Sequence, residues 1–213
     1  MATSSKRLSR DACAIDAKSL AQELIGATLV RPVSPTLTLR GRIVETEAYI
    51  GVQDRASHAF GARRSKRNEM MYAKAGTAYV YFTYGMHHCI NIVCGEINEP
   101  VAVLLRALEP LDGLNFMHKR RTREAVEDLC SGPGKLCQAF AIDREHNGID
   151  LVTSDSLWIE PRTGPRPRLV TTPRIGISSA GVWAKRLLRW YDSASVHVSS
   201  SGNNPYSARV SRK

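Results

Sequence analysis

The sequence predicts a mixed α/β (α+β) fold: a single domain with a curved, mainly antiparallel β-sheet and surrounding helices. Three observations lead there. The chain has 213 residues, a length that suits one domain of ordinary size. With 43% hydrophobic and 23% charged residues it has enough apolar material for a core, unlike a disordered basic tail. Its β-branched and alternating runs are joined mostly by short connections, which favours antiparallel neighbours over a doubly wound parallel sheet.

The elements follow in order. Residues 1–14 read as a flexible basic N-terminus, 15–198 as the folded domain and 199–213 as a flexible Ser/Asn-rich tail. Asp16 is placed to cap a helix over 17–25, with Ile15 stapling onto Leu20 and Gly26 supplying the stop. Strands are predicted at 28–31 and 37–50. In the second, alternation sends Val44, Thr46, Ala48 and Ile50 to one face and Ile43, Glu45, Glu47 and Tyr49 to the other. Residues 77–93 are rich in β-branched and aromatic side chains and are broken by Tyr84-Gly85-Met86, a hairpin with Tyr84 at its tip. On a strand over 101–107, Ala102, Leu104 and Arg106 share a face. Helices are predicted over 111–119 and over 135–142, the latter opened by Ser131-Gly132-Pro133-Gly134, and strands over 157–160 and 169–177. The stretch 183–191 reads either as helix or as an irregular end to the sheet.

Lys+Arg 30 against Asp+Glu 20 leave a net charge of +10, and the excess is patchy. Residues 160–213 carry ten Lys/Arg against two Asp/Glu and residues 51–75 six against two, whereas residues 124–159 carry two against seven. Such patches suit a polyanion-binding face, with a solvated basic surface as the plain alternative. No apolar run approaches the ~18 residues of a spanning helix. The five cysteines form no C-x-x-C pair, so neither a disulfide framework nor a zinc site is indicated, and buried reduced thiols are expected.

The residues that could carry chemistry cluster on the second strand and just after it. Glu45 and Glu47 fit either Arg pairing or catalysis when taken alone. Tyr49, His58 and an Arg/Lys-rich loop through Arg63, Arg64, Lys66 and Arg67 follow them. A carboxylate beside stacking groups and phosphate-binding groups is what chemistry on nucleic acid requires. Tyr79 and Tyr81 share strand parity and could simply cover the core, whereas Tyr84 at a hairpin tip fits a wedge into a base stack. Ser131-Gly132-Pro133-Gly134-Lys135 reads as a phosphate contact at a helix start or as a plain cap; it does not match the G-x-x-x-x-G-K-[ST] loop.

These residues also carry a family resemblance. The stretch Arg40-Gly41-Arg42-Ile43-Val44-Glu45-Thr46-Glu47-Ala48-Tyr49 with His58, then Gly76-Thr77-Ala78-Tyr79-Val80-Tyr81, Tyr84-Gly85-Met86 and Asn91, resembles the alkyladenine (3-methyladenine) DNA glycosylases. So do residues 104–110 and 130–139, and the likeness runs in order from about residue 20 to 191. It implies a monofunctional base-excision enzyme that flips alkylated or deaminated purines out of duplex DNA and hydrolyses the N-glycosidic bond, without metal or cofactor. Glu47 would be the general base and Arg106 would help hold the water. Tyr49, His58 and Tyr81, with Asn91 and Leu104, would form the base pocket, Asn91 disfavouring guanine through its exocyclic amine. Tyr84 would fill the gap in the duplex, and Arg63, Arg67, Met86, Gly134 and Lys135 would meet the DNA backbone. His87 and His88 depart from the vertebrate pattern, which has aromatic residues there.

The resemblance further implies a monomer acting on double-stranded DNA, inside the cell with genomic DNA in a bacterial nucleoid or a eukaryotic nucleus. A catalytically silent damaged-DNA-binding module on the same fold is the alternative. A metal-dependent nuclease would need more carboxylates than Glu45 and Glu47 provide. Glu45 is expected to be structural and paired with an arginine. No pocket residue is recognised beyond Glu160, and the role of the basic C-terminal region stays open, with non-specific search along DNA as one reading.

Overall fold

In the computed structural model, residues 7–199 are described. They form α1 (Arg10–Cys13), α2 (Ala17–Glu23), β1 (Thr28–Ser34), β2 (Leu37–Ile50), β3 (Ala78–Thr83), β4 (His87–Cys94) and β5 (Val101–Asp112). Then follow α3 (Leu114–Arg121), α4 (Pro133–Ala139), β6 (Trp158–Glu160), β7 (Leu169–Pro173) and β8 (Leu187–Asp192), with short 3-10 turns between. Every strand pairing is antiparallel, as the short connections predict. The order is β3-β4-β5-β2-β1-β6, and β8 pairs with both β2 and β7.

Strand alternation gives the sheet two different faces. Ala48, Val80, Ile90, Ile92, Val103, Leu105, Leu188 and Trp190 belong to the main core, where Leu20 of α2 and Leu136 of α4 join them. Asp16 caps α2 by accepting from the Lys18 and Ser19 amides (3.0 and 3.1 Å), as its position predicts. The intervening residues Glu45, Glu47, Tyr79, Asn91 and Leu104 turn to the opposite face, also out of water. Gly41 lets the aromatic ring of Phe140 lie against β2: a Cβ there would come within 2.9 Å of that ring and 3.2 Å of Leu108.

Several expectations change. The pairing of β2 with β5 shifts register between Ile43 and Glu45 and again between Glu45 and Thr46, with Arg106 as the extra residue on β5. These bulges reverse the alternation, so Ile43 joins the core with Ala48 instead of sharing the face of Glu45. Strand β5 continues through Pro110, which pairs with Gly41, and the helix predicted at 111–119 starts later, after Gly113 at φ 83°. Beyond Leu104 this strand has no β4 pairing, so an edge proline removes no bond of that ladder. Residues 183–191 divide into the end of a 3-10 segment (Ser178–Lys185) and strand β8.

Both ends of the described chain are anchored. Within the segment predicted to be flexible, Ser9 caps α1, the Leu8 amide donates to the Ile159 carbonyl (2.8 Å) and Arg10 bonds Asp150 (2.6 Å). Ser199, predicted to begin the tail, is buried. The remainder of the predicted tail, 200–213, lies outside the described residues, as do 1–6. No helix among the described residues is long and apolar enough to cross a membrane.

Candidate active site

The pairing register lines up the site. Glu47 of β2 stands opposite Leu104 of β5, Leu104 opposite Asn91 of β4, and Asn91 opposite Tyr79 of β3. Four neighbouring strands thus contribute one row across the sheet, and on the other side of β2 Arg189 stands opposite Glu47. A one-residue slip in any strand would turn its member of the row into the core.

Above this row opens a cavity of about 420 Å³, within the range of small-ligand sites. Its lining includes the expected Tyr49, His58, Tyr81, Tyr84, Asn91, Leu104 and Arg106. Tyr79, whose sequence also allowed a plain core role, joins them. Its hydroxyl is 2.8 Å from His58 Nδ1, and the His58 ring meets Tyr81 edge-on at 4.6 Å. Burial, and then the charge of Arg67, lower the His58 pKa, so the ring is neutral at pH 7. Asn91 donates from Nδ2 to the Tyr79 carbonyl (3.1 Å), which fixes its amide.

Glu47 is fully buried just behind this lining, held by three groups that do reach the cavity. The Ile175 amide donates to Oε1 (2.7 Å), Arg106 Nη1 lies 3.2 Å from the same oxygen, and the Tyr49 hydroxyl donates to Oε2 (3.0 Å). Burial and the Glu47 charge push the Tyr49 phenol well above its ordinary range, so it remains a donor. Burial works against the charge on Arg106, but Glu47 and Glu45 outweigh it and raise its pKa. The expected arginine pairing of Glu45 is present twice, with Arg106 (3.1 Å) and Arg189 (2.5 Å).

At the rim, Tyr84 is 80% exposed and takes φ 52°, with Gly85 at φ 67° beside it. Met86 is exposed next to them. The first turn of α4 lies against this hairpin. A Cβ on Gly134 would come within 2.9 Å of His87, and Pro133 and Tyr84 both line the cavity. Lys135 is engaged with Ser131 (3.1 Å) and lies 3.7 Å from Asp128. Arg63 and Arg67 are exposed and border a second hollow behind His58, where Arg67 donates to the Phe82 carbonyl (3.1 Å).

What sequence reasoning missed lies mostly beyond Glu160. Residues Ile175, Gly176, Ile177, Ser179 and Ala180 form a whole wall of the cavity. Two of the C-terminal arginines counted as basic surface are instead buried ion-pair partners: Arg189 with Glu45, and Arg174 with Asp54 (2.6 and 2.8 Å). Arg174 also lies 4.7 Å over the Tyr49 ring. The available signal was an arginine inside an otherwise uncharged predicted strand, which needs a buried acid as its partner.

This constellation can be set beside known proteins. The family model for methylpurine-DNA glycosylase matches residues 11–196. A protein of Clostridium botulinum (strain Langeland) named "Putative 3-methyladenine DNA glycosylase" is 46% identical over 202 residues, covering 90% of this chain and 99% of its own. A protein of the same name from Clostridium perfringens (strain SM101) is 43% identical over 195 residues, 87% of this chain and 95% of its own. The match takes in the strand carrying Glu47, the aromatic walls and the C-terminal wall alike, and on that footing the chain belongs to the methylpurine-DNA glycosylase family.

Proposed function

We propose that the chain is a monofunctional DNA glycosylase of base-excision repair, which flips alkylated or deaminated purines from duplex DNA and hydrolyses their N-glycosidic bond, releasing the base and leaving an abasic site. The observation that carries this is the pairing of an aromatic-walled cavity with a buried carboxylate immediately behind it, Glu47, bracketed by Arg106, Tyr49 and the Ile175 amide.

Breaking the bond builds oxocarbenium character on the sugar. A carboxylate held nearby stabilises that charge and deprotonates the water that attacks from the side opposite the departing base. Glu47 takes that role, and Arg106 helps hold the water at the cavity edge. Bringing it onto the carboxylate needs a small adjustment of the kind that distinguishes free from complexed catalytic sites. One carboxylate suffices for bases alkylated at N3 or N7, because these leave readily as cations. Tyr49, His58 and Tyr81 stack on the flipped base, and each aromatic contact favours a cationic ring by about 0.5–2 kcal/mol. Asn91 disfavours guanine through its exocyclic amine, and Leu104 completes the pocket. Flipping costs a few kcal/mol, least at damaged or mispaired bases.

Tyr84 fills the gap in the duplex. Arg63 and Arg67 on one side, and Met86, Gly134 and Lys135 on the other, meet the backbone around it. The enzyme acts as a monomer on genomic DNA inside the cell. A single-turnover assay across duplexes carrying 3-methyladenine, 7-methylguanine, hypoxanthine or ethenoadenine tests the proposal. Release of at least one of these bases is expected. Binding of damaged DNA without release of any base would favour a silent damage-binding module.

A further inference from the structure

Behind Glu47 lies a second carboxylate with more partners than a single ion pair needs. Glu45 is fully buried. Its Oε1 accepts from Arg106 Nε (3.1 Å), Arg189 Nε (2.5 Å) and Ser199 Oγ (2.8 Å), and its Oε2 accepts from the Ser199 amide (2.7 Å). Arg189 is tied in turn to Thr172 Oγ1 (3.1 Å). Arg106 stands between the two acids with each guanidinium nitrogen assigned: Nε to Glu45, Nη2 to Ser199 Oγ (3.3 Å), and Nη1 alone toward Glu47 (3.2 Å).

That division matters because a guanidinium facing one carboxylate prefers a two-pronged pair, occupying both acid oxygens. Here Nη2, the nitrogen a two-pronged contact would add, is drawn toward Ser199 by one of its two N–H groups, and the contact with Glu47 is made through Nη1. Glu47 Oε1 therefore holds Arg106 and the Ile175 amide, while Oε2 accepts from Tyr49 and keeps a lone-pair direction that a water can use. We propose that Glu45, locked by Ser199 near the C-terminal end of the described chain, is a positioning residue for base excision: it holds Arg106 in a one-pronged contact so that Glu47 can still take a proton from water. This rests on the reading of Glu47 as the general base.

The test uses the full chain carrying Glu45→Gln or Ser199→Ala, in single-turnover excision, with enzyme in excess, from a duplex carrying whichever of the four lesions the parent releases. Maximal rate and half-saturating enzyme concentration are read separately. A positioning role lowers the maximal rate, at least about tenfold for Glu45→Gln and a few-fold for Ser199→Ala, with half-saturation within about twofold of the parent. A purely structural role reduces the active fraction instead. This raises the half-saturating concentration and leaves the maximal rate unchanged, an outcome that overturns the proposal. Should Glu45→Gln fail to fold, Ser199→Ala decides alone, because its backbone amide still holds Glu45 while Arg106 Nη2 is released; an unchanged maximal rate then overturns the proposal. Glu47→Gln in the same assay separates the two readings. If it retains activity, the general-base reading fails; if it is inactive while Glu45→Gln matches the parent, only the positioning proposal fails.

Discussion

Replacing Arg174 by methionine should be the most damaging single change outside the carboxylate pair. The side chains of Arg174 and Asp54 are both wholly out of water and are joined by two bonds, of 2.6 and 2.8 Å. Arg174 also donates to the Ala48 carbonyl (2.9 Å). Without it, Asp54 keeps the Ile50 and Ala56 amides (3.2 and 3.0 Å) but loses its countercharge. Removing one partner of a buried pair costs about 3–5 kcal/mol, a large part of a total stability of about 5–15 kcal/mol. For a domain of this size that corresponds to a fall of roughly 6–20 °C in Tm. Thermal unfolding of Arg174→Met, Asp54→Asn and the double variant measures it. The double variant should lose clearly less than the two singles together, since it strands no charge. A shift under about 3 °C for Arg174→Met, or strictly additive losses, would refute the reasoning. Excision should fall even where the variant is folded, because the neighbouring Ile175 amide bonds Glu47 and Arg174 backs the Tyr49 ring.

Tyr84→Ala should leave Tm nearly unchanged, since the ring is 80% exposed, yet slow single-turnover excision from duplex DNA by about 10- to 100-fold, the value of one lost base-stacking contact. DNA binding followed against salt should give a log–log slope of about −0.9 per phosphate neutralised, and Arg63→Gln should reduce its size by about one; an unaltered slope would remove Arg63 from the interface. Asp150, although partly desolvated, is brought down to about 2 by hydrogen bonds from Lys74 and Arg10. Its folded-state pKa lies below the ordinary value of 3.8, so its stabilisation is present above about pH 4 and is lost as pH falls toward 2. The stability gap between the parent and Asp150→Asn, followed by denaturant titration, should therefore close over that interval; a gap constant with pH would contradict it.

Much of the site was legible because it lies on strands. Period-2 alternation brings Glu45, Glu47 and Tyr49 to one face of β2, and the same rule pairs Tyr79 with Tyr81 on β3. It failed at Ile43, because a β-bulge has no residue signature strong enough to reveal the extra residue at Val44. The C-terminal wall was illegible for a different reason. Residues 175–180 reach the cavity through irregular backbone, and what holds them there, the Arg174–Asp54 pair, spans 120 positions of sequence. Charge counting misled for the same reason: Arg174 and Arg189 add to the basic total yet are neutralised in the interior. The Ser199 contacts with Glu45 bridge 154 positions, a separation at which spacing carries no information.

The claim on which the rest depends is that Glu47 performs the chemistry without being needed to grip DNA. Glu47→Gln keeps the shape and the acceptor oxygen while removing the base. Binding of a duplex carrying a lesion the parent releases, and single-turnover release of that base, measured on the same protein, should show affinity within a few-fold of the parent and release lowered at least about 100-fold, within the span that general-base catalysis contributes. Release at the parental rate from a Glu47→Gln protein that binds normally would contradict the account.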